Sequence, residues 1–325
     1  MTGVDWQPTA TRERLAQRAR LLSTAREFLN RRGLLEVETP LAVIAAVTDV
    51  HLASAEVRFG HDETPRYLHT SPEYAMKRLL AAGSGDIWQL CKVFRADERS
   101  AVHNPEFTML EWYRVGFDMP ALIDEVAELV QALLEVSCAP ARAPQRLTYR
   151  EAFLEHVGVD PLAADRPALE AAAAPAAVSE ATLRSLNRDE LLDLLMAVRV
   201  GPQLGRGTLT FVTHYPASQA ALARLDPADP RVAHRFELYA DGVELANGFH
   251  ELADSAEQRR RFEADQRERQ RRGLVAPALD ERLLAALSRG LPDCAGVALG
   301  FDRVAMLATG AAHIDEILSF PYDRA

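Results

Sequence analysis

Phe94-Arg95-Ala96-Asp97-Glu98 and, after a short polar stretch, His103-Asn104-Pro105-Glu106-Phe107-Thr108-Met109-Leu110-Glu111-Trp112-Tyr113 form the part of the chain from which the architecture can be read. Ile87 to Phe94 is rich in strand-forming residues, and residues 107–113 read as its return partner. The loop between them, residues 95–106, concentrates arginine, histidine and acidic groups beside an aromatic ring. A guanidinium is a natural partner for a phosphate or carboxylate, and an aromatic face is a platform for a planar base. On these residues alone, a solvated hairpin loop is an equally good reading.

Upstream, residues 11–32 carry Leu15, Ala19, Leu22, Ala25 and Leu29 at helical spacing, with Gly33 as the stop. Residues 34–39 read as a strand closed by Pro40. Thr70-Ser71-Pro72-Glu73 has the form of a capping box with an early proline, opening a helix that ends near Gly83. Downstream, Asp118 and Pro120 open an amphipathic helix with Leu122, Val126, Leu129 and Leu133. Residues 137–146 read as a linker and residues 147–205 as short helices, with an Ala/Pro run at 171–177 taken as a loop or frayed helix. Strands return at 209–213 and 236–246, an Arg-rich helix spans 254–272, and residues 297–299 form a strand before a helix from about Asp302. The irregular alternation favours an α+β fold, an antiparallel sheet flanked by helices, over a doubly wound parallel sheet.

The chain has 325 residues, 37 Lys+Arg against 47 Asp+Glu, and a formal net charge of -10. No run is apolar enough for a membrane span and the N-terminus lacks a secretory pattern, so a cytoplasmic protein is expected. Cys91, Cys138 and Cys294 are odd in number and widely spaced, which argues against a disulfide framework or a thiolate zinc site. Phosphate-loop, full dinucleotide, H-E-x-x-H and G-x-S-x-G signatures are missing, and the nine histidines are scattered along the chain.

Two further clusters carry chemistry. In residues 236–251, Asp241-Gly242 is a two-residue hairpin signal that pairs Tyr239 with Glu244 and Glu237 with Ala246. Glu237 and Glu244 are then diagonal neighbours on one face, roughly 7–8 Å apart at the backbone. Carboxylates so placed repel unless a cation bridges them, and hard oxygen ligands suit Mg²⁺; two exposed surface glutamates remain the competing reading. Asn247, Phe249 and Glu251 fall on the opposite parity and share that face only if the strand bends or bulges near Gly248. The last cluster is Gly296-Val297-Ala298-Leu299-Gly300-Phe301-Asp302-Arg303, where glycine spacing in a strand implies close backbone approach and Arg303 sits near a helix start. Of the lesser candidates, Cys91 reads as core and the arginines at 259–272 as a solvated face able to dock an acidic partner.

Taken in order, these clusters resemble the catalytic domain of the class II aminoacyl-tRNA synthetases, most closely the lysyl-tRNA synthetase group. The stretch from Arg20 through Glu36-Val37-Glu38-Thr39-Pro40 resembles motif 1, Phe94-Arg95 through Phe107 motif 2, and Gly296 to Arg303 motif 3. The resemblance covers nearly the whole chain and implies one catalytic domain over 1–325, with 137–205 a linker and helical insertion between motifs 2 and 3. It further implies ATP as substrate with Mg²⁺ on Glu237 and Glu244, and a homodimer through motif 1. Arg95, His103 and Arg303 are the implied catalytic residues. Arg95, Ala96, Asp97, His103, Asn104, Phe107, Glu244, Leu245, Gly300 and Arg303 would bind ATP. Ser71, Pro72, Glu73, Glu111, Tyr113, Asn247, Phe249, Glu251 and Ala298 would bind the amino acid.

Some residues depart from the lysyl pattern. About ten residues precede the motif 1 helix, so no anticodon-binding domain is expected. Asp97 stands in place of a glutamate, Ala96 in place of a polar residue and Ala298 in place of a glycine. These departures argue against tRNA charging and toward the stand-alone branch of the group. Its members activate (R)-β-lysine and transfer it to a lysine side chain of elongation factor P. A stand-alone ligase with another acceptor, and an inactive paralogue that only binds a lysine analogue, are the alternatives.

Overall fold

Thr11, whose side chain accepts the Arg14 N–H at 3.2 Å, caps α1 (Arg12–Arg31), and Gly33 at φ +79° ends it, a left-handed conformation open to glycine. The buried stripe of α1 is Leu21, Ala25, Phe28 and Leu29; Ala19 is exposed and Leu15 and Leu22 are half-buried. The predicted stripe was therefore turned by part of a helical turn, because Phe28 and Leu21 offer more apolar area than Leu15 and Ala19.

The structure is a computed structural model and describes residues 6–60, 64–174 and 179–325. After α1 come β1 (Leu35–Glu36), β2 (Ala42–Val43), β3 (Glu56–Val57), β4 (Arg66–Leu68) and α2 (Glu73–Ala81). Then follow β5 (Ile87–Phe94), β6 (Glu106–Val115), α3 (Met119–Val136), β7 (Ala143–Thr148) and α4 (Tyr149–His156). Next are α5 (Arg166–Ala173), α6 (Glu180–Ser185), α7 (Arg188–Leu195), β8 (Thr208–Pro216), β9 (Val232–Ala240) and β10 (Val243–His250). The chain closes with α8 (Ser255–Arg271), α9 (Glu281–Arg289), β11 (Cys294–Gly300) and α10 (Phe301–Thr309). Part of the Ala/Pro run, residues 175–178, lies outside the described residues.

The chain divides into two compact units. The first holds residues up to Phe117, 128–141 and 252–325, and its strands lie in the order β1-β5-β6-β11. Cross-strand register sorts its side chains into two faces. Trp88, Trp112 and Val297 align on one face with Leu90, Leu110 and Leu299, all buried except the half-buried Leu90. The opposite face aligns Gln89 with Glu111 and Ala298, and Ile87 with Tyr113 and Gly296. The period of two thus gives one apolar face against helices and one polar face free for chemistry.

The second unit holds 118–127 and 142–251, with strand order β10-β9-β8-β7. Its core joins α4, α5 and α7 to the sheet through residues such as Phe153, Leu169, Leu191 and Val212. Within it Tyr149 stacks on Phe153 at 4.5 Å and meets Tyr215 at 4.8 Å.

Three expectations need correction. The strands are not uniformly antiparallel: β1 pairs with β5, and β7 with β8, in parallel. Residues 143–146, read as linker, belong to β7, because Ala143 to Thr148 hydrogen-bond along β8 despite their polar composition. The capping box at α2 does not form; Pro72 is the cap, and Glu73 bonds Lys77 at 2.7 Å instead. The amphipathic helix α9, opened by Asp280 accepting the N–H groups of Arg282 and Leu283, was not read at all.

Candidate active site

In the first unit the hairpin β5–β6 sets Arg95 directly after the last strand residue, where its N–H bonds the Pro105 carbonyl at 2.9 Å. The Arg95 guanidinium lies over the Phe107 ring at 5.1 Å and reaches Glu98 at 3.4 Å. Its Nε is buried without a hydrogen-bond partner. A buried charged donor of that kind costs free energy until an acceptor arrives. Ala96 and Asp97 form the exposed turn beside it.

His103 follows on the same loop. Its Nδ1 pairs with Ser100 Oγ at 2.7 Å, while its Nε2 meets Arg303 at the start of α10. With Arg303 donating, Nε2 must accept, so the ring is neutral and carries its proton on Nδ1. Burial and the nearby charge of Arg303 hold the His103 pKa below the usual imidazole value, against the pull of Glu98. His69 is lowered too, chiefly by burial. In the interval between a lowered folded value and the ordinary 6.5, the unfolded chain takes the proton first, so stability falls as pH falls through that interval. We therefore expect His103→Gln to lose less stability than wild type between pH 7.5 and 5.5, read by urea unfolding; equal losses would remove His103 from this account.

Asn104 is buried, and its side chain is used structurally: Nδ2 donates to the Glu106 carbonyl at 2.6 Å and Oδ1 accepts the Tyr322 N–H at 3.0 Å. Asp302 is the residue that ties the motifs together, and sequence reasoning assigned it no role. It accepts the Thr108 N–H at 2.9 Å and pairs with Arg18 of α1 at 2.5 Å, while Arg18 also donates to Thr108 Oγ1 at 2.8 Å. Glu98 and Ser100, which reach Arg95 and His103, were likewise missed; their proximity in the loop was the available signal.

On the polar face, Glu111 is 1% exposed and accepts from Ser71 Oγ at 2.7 Å and from Tyr113 OH at 2.8 Å. Ser71 Oγ in turn accepts the Glu73 N–H at 3.0 Å. Ala298 stands opposite Glu111 across the β6–β11 ladder. Ser71 and Pro72 also line a cavity of about 330 Å³ that extends to Asp280 and Arg282 of the α9 start. Cys91 is half-buried rather than core, and burial pushes its thiol up to about 12, so it is no nucleophile.

In the second unit, Asp241 (φ +48°) and Gly242 (φ +79°) make the expected tight turn. A bulge between Glu244 and Ala246 then shifts the register, so Glu237 faces Asn247 rather than Ala246, and Arg235 faces Phe249. The bulge lies at Leu245, earlier than the Gly248 position expected, and it brings Glu244, Asn247 and Phe249 to the face of Glu237. Leu245 itself is buried, and Phe249 packs with Ala220, Ala223 and Ala233. Glu251 is 1% exposed and bridges to Ala223.

Glu237 is not an open ligand. Arg235 donates to its Oε1 at 2.5 Å, and Tyr215 and Tyr239 donate to Oε2 at 2.6 and 2.7 Å. Alternation makes Arg235, Glu237 and Tyr239 neighbours on one face, which is how the pairing could have been anticipated. A cation held jointly by Glu237 and Glu244 does not fit this arrangement, since a guanidinium already neutralises Glu237. Arginines of α8 and its C-cap are engaged: Arg259 with Glu281, Arg261 with Glu257, and Arg271 and the cap residue Arg272 with Glu268. None of the described helices is long and apolar enough to cross a membrane.

A hairpin that ends in an arginine–aromatic pair, and a strand that runs into an arginine-bearing helix, agree with the resemblance to motifs 2 and 3. The family model of class II tRNA synthetases (D, K and N) matches residues 3–324, and the chain belongs to this family. Within it, the chain is 52% identical to the elongation factor P–(R)-beta-lysine ligase of Klebsiella pneumoniae, over 98% of each chain. It is 51% identical to the protein of the same name from Vibrio cholerae over 100% of both chains, and to that from Salmonella typhi over 98% of both.

Proposed function

We propose that this protein is an ATP-dependent ligase that activates (R)-β-lysine as its aminoacyl adenylate and transfers it to a lysine side chain of elongation factor P. Full-length likeness to ligases of that name supports the amino acid and the acceptor. The observation that carries the activation chemistry is Arg95, a guanidinium with a buried, unpartnered Nε beside Phe107.

In the first step a carboxylate oxygen of the amino acid attacks the α-phosphorus, the bond to the bridging oxygen breaks, and pyrophosphate leaves with its electron pair. The acceptor amine then attacks the adenylate carbonyl, the amide forms, the amine proton is lost and AMP departs. Arg95 would neutralise charge at the reacting phosphate, a contact that strengthens as charge builds in the transition state. Arg303 and His103 would meet the outer phosphates, and the neutral ring of His103 would orient Arg303 until phosphate arrives. Phe107 would stack on adenine, with the Asn104 side chain committed elsewhere and its backbone left to the base. Ala96, Asp97, Glu244, Leu245 and Gly300 would complete the nucleotide contacts. Glu111, held by Ser71 and Tyr113, offers a desolvated negative charge for an ammonium, as does the buried Glu251. Pro72, Glu73, Asn247, Phe249 and Ala298 would shape the wall.

Mg²⁺ would supply charge neutralisation on the phosphates. Glu244 is the residue to hold it, and Glu237 joins only if Arg235 releases Oε1. A single family model over residues 3–324 supports reading the chain as one catalytic domain. A homodimer through motif 1 is supported by apolar surface after α1, where Leu35 and Ile44 are 56% and 44% exposed. The cytoplasm, where ATP and elongation factor P meet, is the proposed location.

The test is mass spectrometry of elongation factor P after incubation with enzyme, ATP and (R)-β-lysine. Addition of one β-lysyl mass at a lysine is expected; an unmodified acceptor would defeat the proposal, and absent pyrophosphate exchange would defeat activation as well. Specificity gives a second expectation. The carboxylate and distal amine are equally spaced in α-lysine and (R)-β-lysine, so the wall beside the other amine must discriminate. Ala298 presents a methyl opposite Glu111. Ala298→Gly should raise kcat/KM for α-lysine relative to (R)-β-lysine by about 10-fold or more, the scale of one methylene-sized change. An unchanged ratio would move selectivity elsewhere.

A further inference from the structure

The histidines that looked scattered along the chain are in part gathered by the second unit. His214 and His234 point their Nε2 atoms at Asp226 Oδ2, at 3.9 and 3.5 Å. The ligand atoms of the three residues all lie within 4.8 Å of one another, and among the described residues this is the one such group. From this geometry we infer a transition-metal site of the Zn²⁺ class, built from His214, Asp226 and His234.

Several features fit a ligand set better than a chance cluster. A tetrahedral Zn²⁺ with bonds of ~2.0–2.2 Å holds its ligand atoms roughly 3.3 Å apart, so the observed spacings need only small side-chain rotations. Two of the three groups, Asp226 and His214, are aimed by a neighbour, as metal ligands usually are. The Ala228 N–H bonds Asp226 Oδ1 at 2.7 Å, leaving Oδ2 toward the imidazoles. Thr213 Oγ1 lies 2.8 Å from His214 Nδ1 and itself bonds the Leu147 carbonyl at 3.3 Å, so Nδ1 carries the proton and Nε2 keeps its lone pair.

The backbone contributes as well. His214 sits in the bulge of β8 with φ +57°, a left-handed conformation that residues with a side chain rarely adopt, and the bulge turns its ring toward β9. Asp226 and His234 are fixed by the short ladder in which Asp226 N–H bonds the Val232 carbonyl and His234 N–H bonds the Arg224 carbonyl, both at 2.9 Å. The ring of His250 stacks on His234 at 5.7 Å and closes one side. The three side chains are 34%, 19% and 22% exposed, so an ion can enter and its fourth position is open to water. Two imidazoles and one carboxylate favour Zn²⁺ and its late-transition neighbours over Mg²⁺ or Ca²⁺. Bound there, the ion would clip β8 to β9 and to the loop that joins them.

The experiment uses the full chain stripped with a chelator and then titrated with Zn²⁺ in excess Mg²⁺, which occupies hard oxygen sites but not imidazoles. Wild type is expected to take up one equivalent more than His234→Gln and than His214→Gln, and to gain a Zn²⁺-dependent rise in its unfolding temperature that both variants lack. Equal uptake by all three proteins would overturn the site. Should a variant fail to fold, Co²⁺ substitution in the wild type decides. An intense visible spectrum of four-coordinate Co²⁺ supports the site, and the weak spectrum of the hydrated ion refutes it.

Discussion

Asp302→Ala is expected to destabilise the protein by about 3–5 kcal/mol, the cost of leaving one member of a buried ion pair without its partner. The side chains of Asp302 and Arg18 are 1% and 14% exposed, so solvent cannot rescue the guanidinium that remains. The same substitution strips the Thr108 N–H of its acceptor. A stabiliser of this size is a large share of the 5–15 kcal/mol that holds a typical domain together. Urea unfolding of wild type, Asp302→Ala, Arg18→Ala and the double variant measures it. The double variant should lose less than the sum of the singles, because the two side chains stabilise each other. Strict additivity, or a loss under about 1 kcal/mol, would mean that the pair does not join α1, β6 and α10. Since Arg303 follows Asp302, activity should fall in step with stability.

Arg95→Ala should behave in the opposite way, with adenylate formation reduced by about 10²–10³, or ~3–4 kcal/mol of transition-state stabilisation, and the fold unchanged. The folded protein makes little use of this side chain: its contacts are Glu98 at 3.4 Å and the Phe107 ring, and its buried Nε has no acceptor. Removing it relieves a desolvated donor rather than breaking a support. Pyrophosphate exchange with ATP and (R)-β-lysine reads the activity, and thermal unfolding reads the fold. Exchange within a few-fold of wild type would place the charge-neutralising group elsewhere, with Arg303 the next to examine. A large drop in unfolding temperature would show instead that Arg95 is structural.

Much of this could be read before any coordinates. The Asp241-Gly242 turn, the hairpin around residues 95–105, the Arg-rich helix behind Asp254 and the motif 3 strand all depend on local chemistry: turn residues with φ above zero, period-two alternation and a capping carboxylate. The order of the three motifs then made the family legible. What neighbours do at a distance was not legible. Whether Glu237 is free depends on Arg235 and on Tyr215, which arrives from another strand. Which residues share its face depends on a single extra residue at Leu245, and a one-residue slip reverses the side of every side chain beyond it. Asp302 draws its meaning from Arg18, far away in sequence, and His214 and His234 come near each other where β8 bulges against β9. Local chemistry is written in adjacent residues and survives without the fold; charge pairing, register and ligand sets exist only once distant strands and helices have packed, and there the tertiary structure decided.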